Sequence, residues 1–322
     1  MRVAAIDCGT NSIRLLVADG VGRTGGRDGC RAGPRLRDVD RRMLIVRLGE
    51  GVDATGRLGD AALARTWAAC AEFGAVLDRL RPDRLRFVAT SASRDAANAD
   101  VFTAGVRERL GVDPAVVSGA AEAQLSFTGA LAGFAGQAAL SGPVLVVDIG
   151  GGSTEFVLGS PGSGPPVGVS VDIGCVRLTE RVLPGDPPDA ASIGAATALV
   201  DDAIERAALT VALGDARTLV GLAGSVTSVA AAVLDLPRYD SARIHHARLP
   251  ADRVHQVAGA LLGTTRADRS RLPWLHPGRV DVIGAGALVL DRVLARVGPT
   301  LAVPEVVVSE QDILDGIALS LL

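Results

Sequence analysis

The chain opens with two apolar, β-branched runs, Val3–Ile6 and Ile13–Val17, joined by the polar turn Cys8-Gly9-Thr10-Asn11. Short apolar runs bounded by turn residues read as buried strands, and a tight turn between two of them makes a hairpin. The Gly/Arg-rich stretch from Gly20 to Arg42 reads as a loop, and Met43–Leu48 as a third strand. Strand, turn, strand, loop, strand with no helix between the first two is a β-meander. A helix starts at Asp60, with Leu63, Trp67, Cys70, Gly74, Leu77 and Leu80 at helical spacing. Leu85–Ala89 is another strand, running into the Thr/Ser-rich loop Thr90-Ser91-Ala92-Ser93-Arg94, and Ala99–Leu110 reads as a helix.

The pattern then restarts. Val144–Val147 is a strand, Asp148 to Thr154 a turn, and Glu155–Leu158 a second strand. Gly159–Pro166 reads as a loop, Val167–Val171 as a third strand, and Asp189–Leu213 as mostly helix. Thr218–Leu222 is a strand ending in Ala223-Gly224-Ser225. Strand, small-residue turn, strand near the start of each half predicts a duplicated α/β unit with an active-site cleft between the copies. The expected domains are 1–117 and 118–309, with the last helix, Glu310–Leu321 within 310–322, packing back on the first.

Composition narrows the function. The chain has 322 residues, 48% of them hydrophobic, enough for two packed cores. Only 3% are aromatic, so the cores are built from Ala, Val, Leu and Ile, and a base-stacking surface is not expected. A net charge of -3 gives no general positive field for DNA or RNA, so no nucleic-acid partner is expected. Lysine is absent and all 33 basic residues are arginine, which excludes a Walker A loop and any Schiff-base lysine. Cys8, Cys30, Cys70 and Cys175 form no C-x-x-C pair and no zinc spacing, and read as reduced thiols of a cytoplasmic protein. Asp7, Asn11 and Arg14 interrupt the N-terminal segment, which is therefore no signal peptide. No apolar run reaches the roughly 18 residues of a membrane span, so a soluble protein without a membrane partner is expected.

Three segments share one design, an apolar strand running into Asp or Gly and then small and hydroxyl residues. They are Asp7-Cys8-Gly9-Thr10-Asn11-Ser12, Asp148-Ile149-Gly150-Gly151-Gly152-Ser153 and Gly221-Leu222-Ala223-Gly224-Ser225. Glycine lets successive N–H groups approach phosphate oxygens, and hydroxyls add donors. Asp7 and Asp148, at strand ends, are placed to hold a divalent ion. Taken singly, each also fits an ordinary turn, since Asn, Asp and Gly are common turn residues. Glu122, in Ser118-Gly119-Ala120-Ala121-Glu122-Ala123, falls in the first turn of a helix. It fits either a carboxylate favoured by the helix dipole or a general base that takes a proton from water. Arg94, just after a strand, fits either a phosphate contact or a surface arginine. The histidines His245, His246, His255 and His276 show no ligand spacing. Gly49-Glu50-Gly51 mimics a dinucleotide fingerprint but lacks the surrounding βαβ unit.

With these residues in view, the chain resembles the exopolyphosphatase and guanosine pentaphosphate phosphohydrolase family of the actin, Hsp70 and sugar-kinase superfamily. The resemblance rests on AIDCGTNSIRLLV, RLGEGVDATGRL, VATSASRDAAN, SGAAEAQLSFTGAL, VVDIGGGSTEF, IGCVRLTE, GLAGSVTSVAA and HPGRVDVIGAG. It implies an α/β fold of two actin-like (ribonuclease H-like) domains with mixed sheets and an interdomain active-site cleft. It implies Glu122 as catalytic base, Asp148 and Glu155 as magnesium ligands, and Gly150, Gly151, Gly152 and Ser153 as a phosphate cradle. Arg94 and Ser225 would line the site, and Asp7, Thr10, Asn11 and Ser12 match the first phosphate loop; Gly224 joins the substrate set and Asp7 the metal set. The expected cofactor is Mg2+ or Mn2+, and the expected reaction is release of terminal phosphate from inorganic polyphosphate. Guanosine pentaphosphate is the alternative substrate. A sugar- or acetate-kinase-like phosphotransferase and a non-catalytic alarmone binder are further alternatives on the same fold. Longer members carry an added helical domain, whereas this chain stops at Leu322. Short polyphosphate chains are accordingly expected as substrates, and a homodimer as the assembly.

Overall fold

The computed structural model describes residues 1–21, 35–134, 140, 142–160 and 163–322. The chain divides into two compact units, Met1–Ala139 with Gln311–Leu322, and Leu140–Glu310.

In the first unit, β1 (Arg2–Cys8), β2 (Ser12–Val21), β3 (Arg35–Ile45), β4 (Arg84–Ala89) and β5 (Ala115–Val116) form one sheet in the order β3-β2-β1-β4-β5. The first three strands are antiparallel, and β4 and β5 continue parallel to β1. Alternate residues of β1 enter two different clusters. Ala4 and Ile6 pack with Phe73 and Phe102 of the helices Asp60–Leu80 and Ala99–Leu110. Val3 and Ala5 pack with Leu125 and Ile317 of the helices Gly119–Ala132 and Ile313–Leu319. A strand covered on both faces must be apolar at nearly every position, which is why it reads as a continuous run.

The second unit contains β6 (Val144–Ile149), β7 (Thr154–Ser160), β8 (Ser163–Val171), β9 (Thr218–Leu222), β10 (Arg248–Pro250) and β11 (Glu305–Val308), in the order β10-β11-β9-β6-β7-β8. Again the first three strands are antiparallel, and the next two run parallel to the first. The order third, second, first, fourth is common to both sheets, so the duplication expected from the sequence is a duplication of topology. The helix Ile283–Val297, buried along most of its length, anchors the core of this unit. Among the described residues no helix is long and apolar enough to cross a membrane.

Several boundaries differ from the sequence reading, each for a physical reason. The helix that starts after Ser118 belongs to the first unit, so the division falls at 139/140 rather than 117/118. Its residues Ala121 and Leu125 complete the cluster around Val3 and Ala5, and the terminal segment returns to the same cluster. The stretch 20–42 is not all loop: Gly20 and Val21 end β2, and Arg35–Arg42 lie in β3. Residues 22–34, with Cys30, lie outside the described residues. The charges of β3 are neutralised locally, Arg37 by Asp19, Arg41 by Asp38 and Asp315, and Arg42 by Asp40. An edge strand tolerates such a polar sequence, which a hydrophobic pattern alone reads as loop. Likewise 159–166 is mostly strand, with residues 161–162 outside the described set. Pro165 and Pro166 sit on β8, an edge strand, where a missing N–H is least costly. The segment after β4 is a short helix, Ser91–Asp95, rather than a loop. The last helix is the shorter Ile313–Leu319.

Candidate active site

Both units place their polar residues at the carboxyl ends of the parallel strands, the usual location of ligand sites in open α/β sheets. In the first unit β1 ends in the turn 9–11, closed by Gly9 N–H donating to Ser12 O at 3.0 Å. The β6–β7 turn repeats this closure, with Gly150 N–H donating to Ser153 O at 3.0 Å. The two turns thus align residue by residue, Asp7 with Asp148 and Ser12 with Ser153. The third segment is different. β9 passes directly into the helix Ala223–Val233, with Ala223 in the left-handed region at φ 67°.

Each turn is held from behind by the chain that leaves the third strand of its sheet. In the first unit, Gly49 N–H donates to Thr10 O at 2.8 Å, and Val46 and Arg47 N–H donate to Asn11 O at 3.1 and 2.9 Å. A Cβ on Gly49 would stand 2.3 Å from Thr10 Cγ2, so the close approach requires glycine. The Thr10 hydroxyl is also hydrogen bonded to the Ser91 hydroxyl, at 2.8 Å. In the second unit the helix Cys175–Val182 begins against the triple-glycine turn, donating from Cys175 N–H to Gly150 O at 3.0 Å.

Glu122 is buried, and Arg94 Nη1 donates to its Oε2 at 3.1 Å and to Val117 O at 3.2 Å. The N-cap role goes to Ser118, whose hydroxyl accepts from Ala121 N–H at 3.3 Å. The carboxylate of Glu122 is therefore not the cap of its own helix. Thr90 N–H donates to Cys8 O, and Val117 N–H to Ala89 O. These bonds bring the Asp7 turn, the Arg94 helix and the start of the Glu122 helix to one end of the first sheet.

Asp7 is buried beneath its turn. Its Oδ2 accepts from Arg14 Nη2 at 2.6 Å and Nε at 3.1 Å, while Oδ1 is buried without a hydrogen-bond partner among the described residues. Burial pushes the Asp7 carboxyl above the usual range, and the Arg14 guanidinium opposes that shift. Arg14 also donates to Asp312, the N-cap of the terminal helix. In the second unit the corresponding pair is two acids: Asp148 lies directly opposite Glu155 across β6–β7, both buried. Ser170 Oγ donates to Glu155 Oε1 at 2.6 Å. No group of three or more His, Cys, Asp or Glu side chains that could hold a metal forms among the described residues. Two adjacent carboxylates still suit an oxygen-preferring cation such as Mg2+, which keeps waters and takes further oxygens from phosphate. Ser225 follows β9, the parallel neighbour of β6, with Asp148 opposite Leu222. A Cβ on Gly286 would lie 2.3 Å from Ser225 Oγ, and one on Gly224 would lie 2.2 Å from the Arg279 guanidinium. The HPGRVDVIGAG segment thus packs against the strand–helix junction.

Thr10, Asn11, Ser12, Asp7, Arg94 and Glu122 therefore belong to the first unit, and Gly150 to Ser153, Asp148, Glu155, Gly224 and Ser225 to the second. The sequence reading missed Arg14 and Ser170. Arg14 carried a signal, a charge within an otherwise apolar strand, which two buried aspartates now explain.

Residues 29–321 match the Ppx/GppA phosphatase family. The chain belongs to this family. Exopolyphosphatase 2 of Mycobacterium tuberculosis is 48% identical over 326 residues, covering 99% of this chain and 98% of that protein. The crystal structure of an exopolyphosphatase-like protein is similar with a TM-score of 0.91 at 42% identity, covering 99% of this chain and 97% of that one. The Aquifex aeolicus Ppx/GppA family member has a TM-score of 0.76 at 28% identity, with 99% and 97% covered. The two mixed sheets are those of a two-domain actin-like Ppx/GppA protein. Within this family the acid and glycine positions described above are the candidates for chemistry on phosphate.

Proposed function

We propose that this chain is an exopolyphosphatase, releasing orthophosphate from the end of inorganic polyphosphate by attack of water. The observation that carries the choice of substrate is its near whole-length likeness to a protein named Exopolyphosphatase 2. The chemistry follows from the residues. Water adds to the terminal phosphorus, the bridging P–O bond breaks, and the shortened chain leaves as the phosphate anion. Glu122 accepts the proton from the attacking water. Arg94, which donates to Glu122 at 3.1 Å, orients the carboxylate and presents positive charge at the same strand ends. Peptide N–H groups and side-chain donors of Thr10 to Ser12, peptide N–H groups of Gly151 to Ser153, and Ser225 bind phosphate oxygens, while Gly150 N–H closes its own turn on Ser153 O. Charge that develops on those oxygens is stabilised by donors already in place.

Asp148 and Glu155 of the second unit would hold a divalent cation, Mg2+ or Mn2+; in the first unit Asp7 is the candidate ligand, its Oδ1 lacking a hydrogen-bond partner among the described residues. Such an ion supplies charge neutralisation on the phosphate oxygens. Guanosine pentaphosphate is the rival substrate, since it also ends in a phosphoanhydride. A cytoplasmic location, which the free thiols Cys8, Cys70 and Cys175 suit, and a homodimer complete the reading.

Glu122→Gln tests the reading. It keeps the shape of the side chain and removes the base, so kcat on short polyphosphate is expected to fall by roughly 10²–10⁴-fold with little change in KM. Turnover within a few-fold of wild type would remove Glu122 from the reaction.

A further inference from the structure

We propose that Arg177 is a positioning residue that locks the triple-glycine turn in the form that binds phosphate. The inference rests on the reading of that turn as a phosphate cradle. In a trans peptide unit the C=O and the following N–H point in opposite directions. The carbonyls of Gly150, Gly151 and Gly152 are all bound from one side. Gly150 O accepts from Cys175 N–H at 3.0 Å, and Gly151 O from Val176 and Arg177 N–H at 2.9 and 3.1 Å. Gly152 O accepts from Arg177 Nε at 2.8 Å. The N–H groups of Gly151, Gly152 and Ser153 therefore all point away from that side. None of the three has a backbone acceptor among the described residues. Successive N–H groups on one face form an anion-binding concavity.

The third carbonyl is the vulnerable one. Three consecutive glycines have the widest choice of backbone conformation, and any of their peptide units can rotate if it is not held. Main-chain donors fix Gly150 O and Gly151 O, and Gly174 allows the close contact, because a Cβ there would lie 2.4 Å from Gly151 O. Gly152 O receives a side-chain donor instead. In the first unit the equivalent carbonyl, Asn11 O, is held by two main-chain donors, Val46 and Arg47 N–H. Arg177 thus supplies with its guanidinium what the first unit supplies with backbone. It acts through the turn, by keeping the Ser153 N–H and its neighbours aimed at phosphate.

Arg177→Met and Arg177→Lys separate geometry from charge. Met removes both the charge and the Nε donor at similar side-chain length; Lys keeps the charge and loses only the donor at that place. Binding is measured by calorimetric titration of short-chain polyphosphate into each variant on a Glu122→Gln background, and KM and kcat on the wild-type background. For Arg177→Met, affinity is expected to fall and KM to rise about tenfold or more, with kcat within about threefold. For Arg177→Lys a loss of several-fold should persist, with a thermal midpoint close to wild type in both. Full recovery of affinity in Arg177→Lys, or unchanged affinity in Arg177→Met, overturns the proposal. If Arg177→Met does not fold, Arg177→Lys alone decides. A wild-type protein that neither binds nor hydrolyses polyphosphate overturns instead the functional reading on which the proposal rests.

Discussion

At position 14 the first unit has an arginine where the second has Glu155, and this exchange gives the two halves different electrostatics. Asp7 faces Arg14 across β1–β2, and Asp148 faces Glu155 across β6–β7. Acids directly opposite each other on neighbouring strands repel, and burial strengthens the repulsion; a divalent cation turns the same geometry into a site. In the first unit, Arg14 already neutralises one oxygen of Asp7 and only Oδ1 is left. Metal demand should therefore fall mainly on the second unit. EDTA is expected to abolish phosphate release and Mg2+ to restore it. Asp148→Asn and Glu155→Gln should each raise the Mg2+ needed for half activity by about tenfold or more. Full activity in EDTA would show that arginines and amides suffice. Most of these residues were legible in the sequence because each is local to a turn: Asp7 and Asp148 precede glycine-rich hairpins. Glu155 came only from the resemblance. The Arg14–Asp312 and Arg94–Glu122 pairs were not legible, since 298 and 28 residues separate their members and only the fold brings them together.

Two helices far apart in sequence meet so closely that no side chain fits between them. A Cβ on Gly129 would lie 1.8 Å from Asp312 O, and one on Gly316 would lie 2.0 Å from Leu125 O. The terminal helix Ile313–Leu319 therefore sets the height of the Glu122 helix above the sheet. Through Asp312 and Arg14 the same helix also braces Asp7. Gly129→Ala should force the pair apart, destabilising the fold by roughly 1–3 kcal/mol, as overpacking does. It should also lower kcat on polyphosphate more than it raises KM, because the displaced group is the proposed base. Chemical denaturation and steady-state kinetics on the one variant check both parts; stability and kcat equal to wild type would contradict the helix-brace account. The local sequence does not say what Gly129 or Gly316 meets. A glycine inside a helix signals a close approach, but its partner is set by tertiary packing. The boundary after Ser118 was not legible for the same reason: the helix that follows is rich in small and apolar residues, and only packing against Val3, Ala5 and the terminal helix decides its unit. Edge strands were lost to loops because their ion-paired or proline-rich sequences lack hydrophobic alternation.

At the scale of the whole chain, two copies of one strand–turn–strand device have diverged in what backs them and what they carry. The first unit supplies the proposed base, with Thr10 to Ser12 held by backbone. The second supplies paired carboxylates and a glycine turn held by backbone and Arg177. Duplication was legible because strand and turn signals recur, and their order in the two sheets is the same. With a net charge of -3 and many arginines paired to acids, long polyanions gain little from a general field. Substrate is then held at its end, by the donors that hold the terminal phosphates. The most direct measurement is the initial rate of orthophosphate release from short-chain polyphosphate, guanosine pentaphosphate and ATP, side by side with Mg2+ present. The account predicts the highest kcat/KM on polyphosphate, with little release from ATP. Phosphate release from guanosine pentaphosphate or ATP with none from polyphosphate would contradict it.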